Sequence, residues 1–174
     1  ILICSANKTF DGTGWETNGA GIKFNYNYGA GLVDAGAAVS MAGGWSNLAA
    51  QTNSKLTDAA PDDLDAGDTI TRHFVVTDSL RAEHVTLKLS TPGVKKGDLR
   101  ITLTSPSGME SVFCEPHDDD QNELDEWTFM SVRHWGEASN GTWTLTIENS
   151  GPDSGDLEDT ELVVYGTQIG SANN

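Results

Sequence analysis

Basic residues are scarce in this sequence: 10 Lys and Arg stand against 26 Asp and Glu, a formal charge of −16. That surplus repels phosphates and anionic headgroups, so nucleic acid and membrane surfaces are excluded as partners and cations are favoured. Long apolar runs are missing too, which excludes a membrane-spanning helix, while an apolar content of 37% excludes a disordered chain. Cysteine is almost absent. Cys4 and Cys114 lie far apart with no C-x-x-C spacing, so they specify neither a zinc site nor a disulfide framework and read as small buried apolar residues. The first residues, Ile1-Leu2-Ile3-Cys4, lack an initiator Met and a basic stretch leading into a long apolar one. The sequence therefore carries no signal peptide and reads as starting in mid-protein.

A placed nucleophile is the next absence. His73, His84, His117 and His134 offer four bases, but no G-x-S-x-G elbow accompanies them. Surface or structural roles follow for all four, with His84 pointing outward from a strand. Ser107 lies in a Pro-Ser-Gly turn, where its hydroxyl can bond nearby backbone.

What is present changes character near Trp45. Before it, Leu32, Ala35, Ala38, Val39 and Ala42 fall at spacings of three and four, which predicts a helix over 32–42 with Asp34 in its first turn and Gly43-Gly44 ending it. After it, the period becomes two. Val85, Leu87 and Leu89 alternate with polar residues, as do Leu99, Ile101 and Leu103, and then Trp143, Leu145 and Ile147. Ile70, Phe74 and Val76 make a weaker case within 68–78, and 127–135 and 161–165 are apolar on both faces. Turn signals at Thr91-Pro92-Gly93, Ser105-Pro106-Ser107-Gly108, Asn140-Gly141 and Ser150-Gly151-Pro152 separate these runs. Seven or eight short strands without a helical pattern between them predict an all-β, jelly-roll-like β-sandwich over about 54–168. Trp127, Trp135 and Trp143 are expected largely buried in its core.

Longer strings add specificity. Trp15, Asn18-Gly19-Ala20-Gly21, Phe24, Tyr28-Gly29-Ala30-Gly31 and Asp34-Ala35 resemble the stretch closing the catalytic domain of kexin- and furin-like subtilases. Lys96-Gly97-Asp98-Leu99, Ser105-Pro106-Ser107-Gly108, Trp127, Phe129-Met130-Ser131-Val132, Trp135-Gly136-Glu137 and Gly141-Thr142-Trp143 are similar to the strings of that family's P (Homo B) domain. Lys96 stands where Arg is common, so no RGD tripeptide exists; Met109 and Ala30 are further departures. The resemblance implies a division into 1–45, the end of a subtilisin-like catalytic domain; 46–53, a linker; 54–169, a P domain; and 170–174, a tail. It implies that the Asp/His/Ser triad and oxyanion Asn of the parent lie upstream, so this stretch is not itself an enzyme. The parent is expected to be a secreted or extracellular serine endopeptidase acting on protein or peptide substrates. The P domain's partner is its own catalytic domain, which such domains stabilise and whose calcium and pH dependence they influence. A tail of a catalytic domain cannot bury its helix alone, so 1–45 is expected to be poorly ordered, packed on the P domain, or completed by the rest of the protease.

The acidic loops are the remaining chemical candidate. Asp58, Asp62, Asp63, Asp65 and Asp68 fall in one loop before the first strand, Asp118, Asp119 and Asp120 follow His117 in another, and Asp153, Asp156 and Asp159 surround a Gly-rich turn. Ca2+ takes about six to eight oxygens, which such loops can supply. The stretch from Asp58 to Asp68 is the first choice for a Ca2+ site, and the family resemblance favours one; the plain alternative is a solvated acidic surface. A calcium-dependent carbohydrate-binding or adhesin-like jelly roll is the rival function, and it requires exposed aromatics on one face.

Overall fold

The computed structural model describes residues 1–8, 13–119 and 123–170. Two short helices and two short strands come first: α1 (Leu2–Ser5), β1 (Glu16–Thr17), β2 (Lys23–Phe24) and α2 (Ala35–Ala42). Ten strands follow: β3 (Thr52–Asp58), β4 (Asp62–Leu64), β5 (Thr69–Val76), β6 (Leu80–Leu89), β7 (Leu99–Thr104), β8 (Glu110–Cys114), β9 (Trp127–Ser131), β10 (Gly141–Asn149), β11 (Gly155–Leu157) and β12 (Thr160–Gln168). Eight of them form two four-stranded antiparallel sheets, β3-β12-β6-β9 and β5-β10-β7-β8. Counting those eight in chain order gives 1-8-3-6 facing 2-7-4-5, the strand order of a jelly roll. The fold is the all-β sandwich the alternation predicts.

The alternating strands fill the space between the sheets. Trp143, Leu145 and Ile147 on β10 meet Phe74, Arg72 and Ile70 on β5, and Leu145 and Ile147 meet Leu103 and Ile101 on β7. In the other sheet Leu162 lies between Leu56 and Leu87, and Val164 between Ser54 and Val85. Leu87, Leu89, Leu99, Ile101, Leu103 and Trp143 are wholly buried, so each alternating run delivers one face to a common core.

Three expectations need correction. Trp127 is 54% exposed, because it opens the edge strand β9 and no further strand covers it; Trp135 is only half-buried, and Trp143 alone of the three is enclosed. Cys4 is exposed, since α1 buries none of its residues, and Cys114 is half-buried. The acidic stretch from Asp58 is no simple loop: β3 ends on Asp58, and β4 runs through Asp62 and Asp63 to pair with β11. The helix of 32–42 is confined to α2, with Asp34 as its N-cap accepting from the Ala37 N–H at 2.8 Å, and α2 buries none of its side chains.

Candidate functional site

The N-terminal segment meets the sandwich along one seam. Asn18 is its pivot: its side-chain amide donates to the carbonyls of Arg133 and Trp135 at 3.0 and 2.9 Å. Its carbonyl accepts the N–H groups of Ala20 and Ile22 at 3.0 and 2.9 Å. One asparagine thus fixes both the turn on its own segment and the loop opposite, and it is buried while doing so. Next to it the Gly19 N–H donates to Glu137 Oε1 at 2.7 Å, an oxygen that also accepts the Ser107 hydroxyl at 2.7 Å. Ser107 is a turn residue as expected, but its hydroxyl serves the seam as well.

The close approach explains two glycines. A Cβ on Gly19 would sit 2.5 Å from the Ser107 Cβ, closer than any real contact, so only glycine brings this N–H onto Glu137. Across from it, Gly136 has φ +84, and a Cβ there would meet the Ala20 Cβ at 3.0 Å.

Arg133 joins the same parts by a second route. Its Nη2 pairs with Glu16 Oε2 at 2.9 Å, its Nε donates to the Glu110 carbonyl at 2.8 Å, and its guanidinium lies 3.9 Å above the Tyr26 ring. Tyr26 in turn accepts the Val112 N–H of β8 at 2.9 Å.

Beneath the seam is a buried polar line: Ser131 Oγ and Ser111 Oγ at 2.6 Å, Ser111 Oγ and His134 Nε2 at 3.0 Å, His134 Nδ1 and Glu137 Oε2 at 3.5 Å. Serine, histidine and carboxylate in that order resemble a hydrolase triad. Yet Ser111 is 1% exposed, His134 0% and Glu137 2%, so no substrate can reach the hydroxyl. The line acts as scaffold, with the His134 ring edge-on to Trp143 at 4.8 Å. Burial raises the Glu137 carboxyl pKa, but the neighbouring His134 ring, the hydrogen bonds from the Gly19 N–H and the Ser107 hydroxyl, and the nearby Ser105 hydroxyl outweigh it and hold the group at about 2. Glu137 is therefore an anion at neutral pH. The other histidines stand apart: His84 stacks on Tyr165 at 4.4 Å, His73 contacts the Thr144 hydroxyl at 3.2 Å, and His117 contacts the Glu115 carbonyl at 2.8 Å. At Cys114, burial pushes the thiol pKa up, which opposes a nucleophilic role.

The aspartates proposed for Ca2+ are not drawn into one cluster. Asp58 and Asp62 face the guanidinium of Arg72 at 3.9 and 3.1 Å. Arg72 is buried on the inner face of β5 and also donates to the carbonyls of Asp58, Ala60, Leu157 and Glu158 and to the Thr160 hydroxyl. The oxygens a metal would need are thus turned on an internal cation. Asp63 lies opposite Asp156 on β11, and Asp65 and Asp68 share a turn in which the Asp65 N–H reaches Asp68 Oδ2 at 3.3 Å. Asp118 is exposed, Asp119 pairs with Lys96 at 3.2 Å, and Asp120 lies outside the described residues. Among the described residues no three His, Cys, Asp or Glu side chains gather as a metal site.

Sequence reasoning named Asn18, Gly19 and Glu137 only as members of strings, and missed Arg133 and Arg72. A signal existed for Arg72: an arginine at an inward-phase position of β5 between Ile70 and Phe74 calls for carboxylates and carbonyls nearby.

A jelly roll bonded through a Trp-Gly-Glu loop to the segment before it defines a class. The sandwich is a proprotein convertase P-domain; the family model with that description matches residues 82–164. The chain is 36% identical over 164 residues to furin of Homo sapiens, covering 88% of this chain and 20% of furin. It is 35% identical over 170 residues to furin-like protease 2 of Drosophila melanogaster, covering 88% of this chain and 10% of that protein. It therefore spans a fifth or less of the length of these relatives. In fold it is similar to the serine protease of Aeromonas sobria crystallised with its chaperone, with TM-score 0.80 and 21% identity over 89% of this chain and 33% of that one.

Proposed function

We propose that this chain is the non-catalytic clamp of a secreted subtilisin/kexin-like serine endopeptidase, and that the sandwich holds the closing segment of the catalytic domain in place. The observation that carries the reading is the Gly19 N–H bonded to the buried Glu137 carboxylate, beside Asn18 spanning both sides of the seam. Two further features support it. Leu32, Val33 and Val39 are exposed around an α2 that buries nothing, as expected of a helix whose packing partner is another part of a larger domain. The relatives the chain matches, furin and furin-like protease 2, are much longer than it is. Calcium does not enter this reading, because Asp58 and Asp62 are engaged by Arg72.

Amide hydrogen exchange on the 174-residue chain tests the clamp. The Gly19, Ala20 and Ile22 amides should be protected in the native protein and exposed in Glu137→Ala, with the sandwich core still protected. Fast exchange at these amides in the native protein would sink the reading.

A calcium-dependent carbohydrate-binding or adhesin-like module is the second reading, and one observation favours it: the exposed Trp127. Binding on a glycan array, lost in Trp127→Ala, would bring it forward.

A further inference from the structure

The sandwich has an open side where β8 and β9 each end a sheet and, among the described residues, pair on one flank only. Tyr26 and Arg133 close the part of that side next to the seam. Further along, Phe113, Leu124, Trp127 and Phe129 line a hollow of about 500 Å3. Trp127 and Phe129 share a face of β9, with ring centroids 6.3 Å apart and nearly perpendicular, and Phe113 lies 5.4 Å from Phe129. Trp127 is held in this pose by an uncommon backbone: Glu126 before it has φ 44, the one positive φ outside glycine among the described residues. Its N–H is fixed by the Ser90 hydroxyl at 2.9 Å and its carboxylate by Lys88 at 2.6 Å.

Charge selects the occupant. Asp119, Glu123 and Asp125 rim the aromatic hollow, with Asp119 paired to Lys96 and Glu123 accepting the Gly93 N–H. Asp125 also lines an adjoining hollow of about 360 Å3 with five other carboxylates, of which Asp58 faces Arg72, Glu126 pairs with Lys88 and Glu161 pairs with Lys55. Asp125, Glu158 and Asp159 make no ion pair among the described residues. Aromatic faces beside uncompensated carboxylates attract a cation with an apolar stem, which describes arginine and lysine side chains. The aromatic hollow and the acidic one share Asp125, so together they ask for two cations on one chain.

We propose that the two hollows form a docking surface for a cationic stretch of polypeptide. One basic side chain lies on Trp127 and Phe129, and a neighbouring one reaches the carboxylates beyond Asp125. This surface is separate from the seam and does not rest on the clamp.

The test is calorimetric titration of the whole chain with acetylated tetra-arginine amide at about 150 mM salt. Saturable binding is expected. Trp127→Ala leaves the net charge unchanged and should weaken binding about twofold to fivefold, the range of a cation over an exposed aromatic face. Asp125→Lys, at an exposed position, should abolish it while leaving the aromatic hollow intact, which keeps the test decisive if the tryptophan variant folds poorly. Equal affinity in both variants would assign the attraction to diffuse net charge and overturn the proposal. So would absence of binding, or saturable binding of a neutral oligosaccharide at Trp127 in place of the peptide.

Discussion

Replacing Glu137 by glutamine keeps the side chain's shape and removes its charge, and it isolates what holds the seam. The carboxylate accepts two hydrogen bonds at 2.7 Å, from the Gly19 N–H and the Ser107 hydroxyl, in a site where the residue is 2% exposed. A hydrogen bond to a charged acceptor contributes about 1.5–3 kcal/mol and a neutral one about 0.5–1.5, so the exchange costs about 1 kcal/mol per bond, or about 2–3 in all. The pKa gives a second route to the figure. A carboxyl held at about 2 in the folded chain, against an ordinary 4.5, contributes at most about 3.5 kcal/mol at about 1.4 kcal/mol per pH unit, a ceiling just above that figure. Because the folded value is the lower one, this stability is complete above pH 4.5 and is lost as pH falls from there towards 2. Urea unfolding followed by circular dichroism at pH 7 and pH 3 is the assay. Glu137→Gln should lower stability at pH 7 by about 2–3 kcal/mol, with Tm down by about 4–12 °C for a chain of this size. It should also lose less than the native protein between the two pH values. Equal stability at pH 7, or an unchanged pH dependence, would refute the reasoning.

Three further outcomes are expected. Gly19→Ala places a Cβ 2.5 Å from the Ser107 Cβ, so the N-terminal segment should lift from the seam and become cleavable in limited proteolysis before the sandwich is; a native cleavage pattern would contradict the packing. Arg72→Met leaves the Asp58 and Asp62 carboxylates and several carbonyls without their donor, and the urea midpoint should fall by the equivalent of about 3–5 kcal/mol. Adding Ca2+ to chelator-treated protein should leave Tm unchanged, because Arg72 already balances the Asp58 and Asp62 carboxylates of the proposed loop; a saturable rise in Tm would show a cation site where the side chains do not make one.

The strands that could be read in advance are those whose inward positions are all apolar. β6, β7 and β10 alternate cleanly because over 85–89, 99–103 and 143–147 each offers only Val, Leu, Ile or Trp to the core. β5 reads weakly because Arg72 takes an inward place, and it is tolerated there only through contacts from residues 58–62 and 157–160, which no local pattern announces. β8 escapes because its buried Ser111 serves the hydroxyl line to Ser131 and His134. β4 and β11 are too short, and too rich in aspartate, to look like anything but turn. The seam was legible as shared strings and illegible as chemistry: that Asn18 meets residues 133–135 is a contact across 115 positions, fixed by the folded jelly roll. Trp127 was misjudged for a similar reason, since whether an aromatic on a strand is covered depends on the strand's place in the sheet.

The pairing of β3 with β12 has a mechanical consequence. The first and last strands of the jelly roll lie side by side and antiparallel, with Thr52 opposite Gly166 at one end and Asp58 opposite Thr160 at the other. The chain thus enters and leaves the sandwich at the same corner. Tension applied at those two points loads the ladder one rung at a time, beginning at Thr52 and Gly166, instead of shearing all its bonds together. The sandwich is consequently soft to a pull along the polypeptide, although its core is closely packed, and β3 is the strand that peels first.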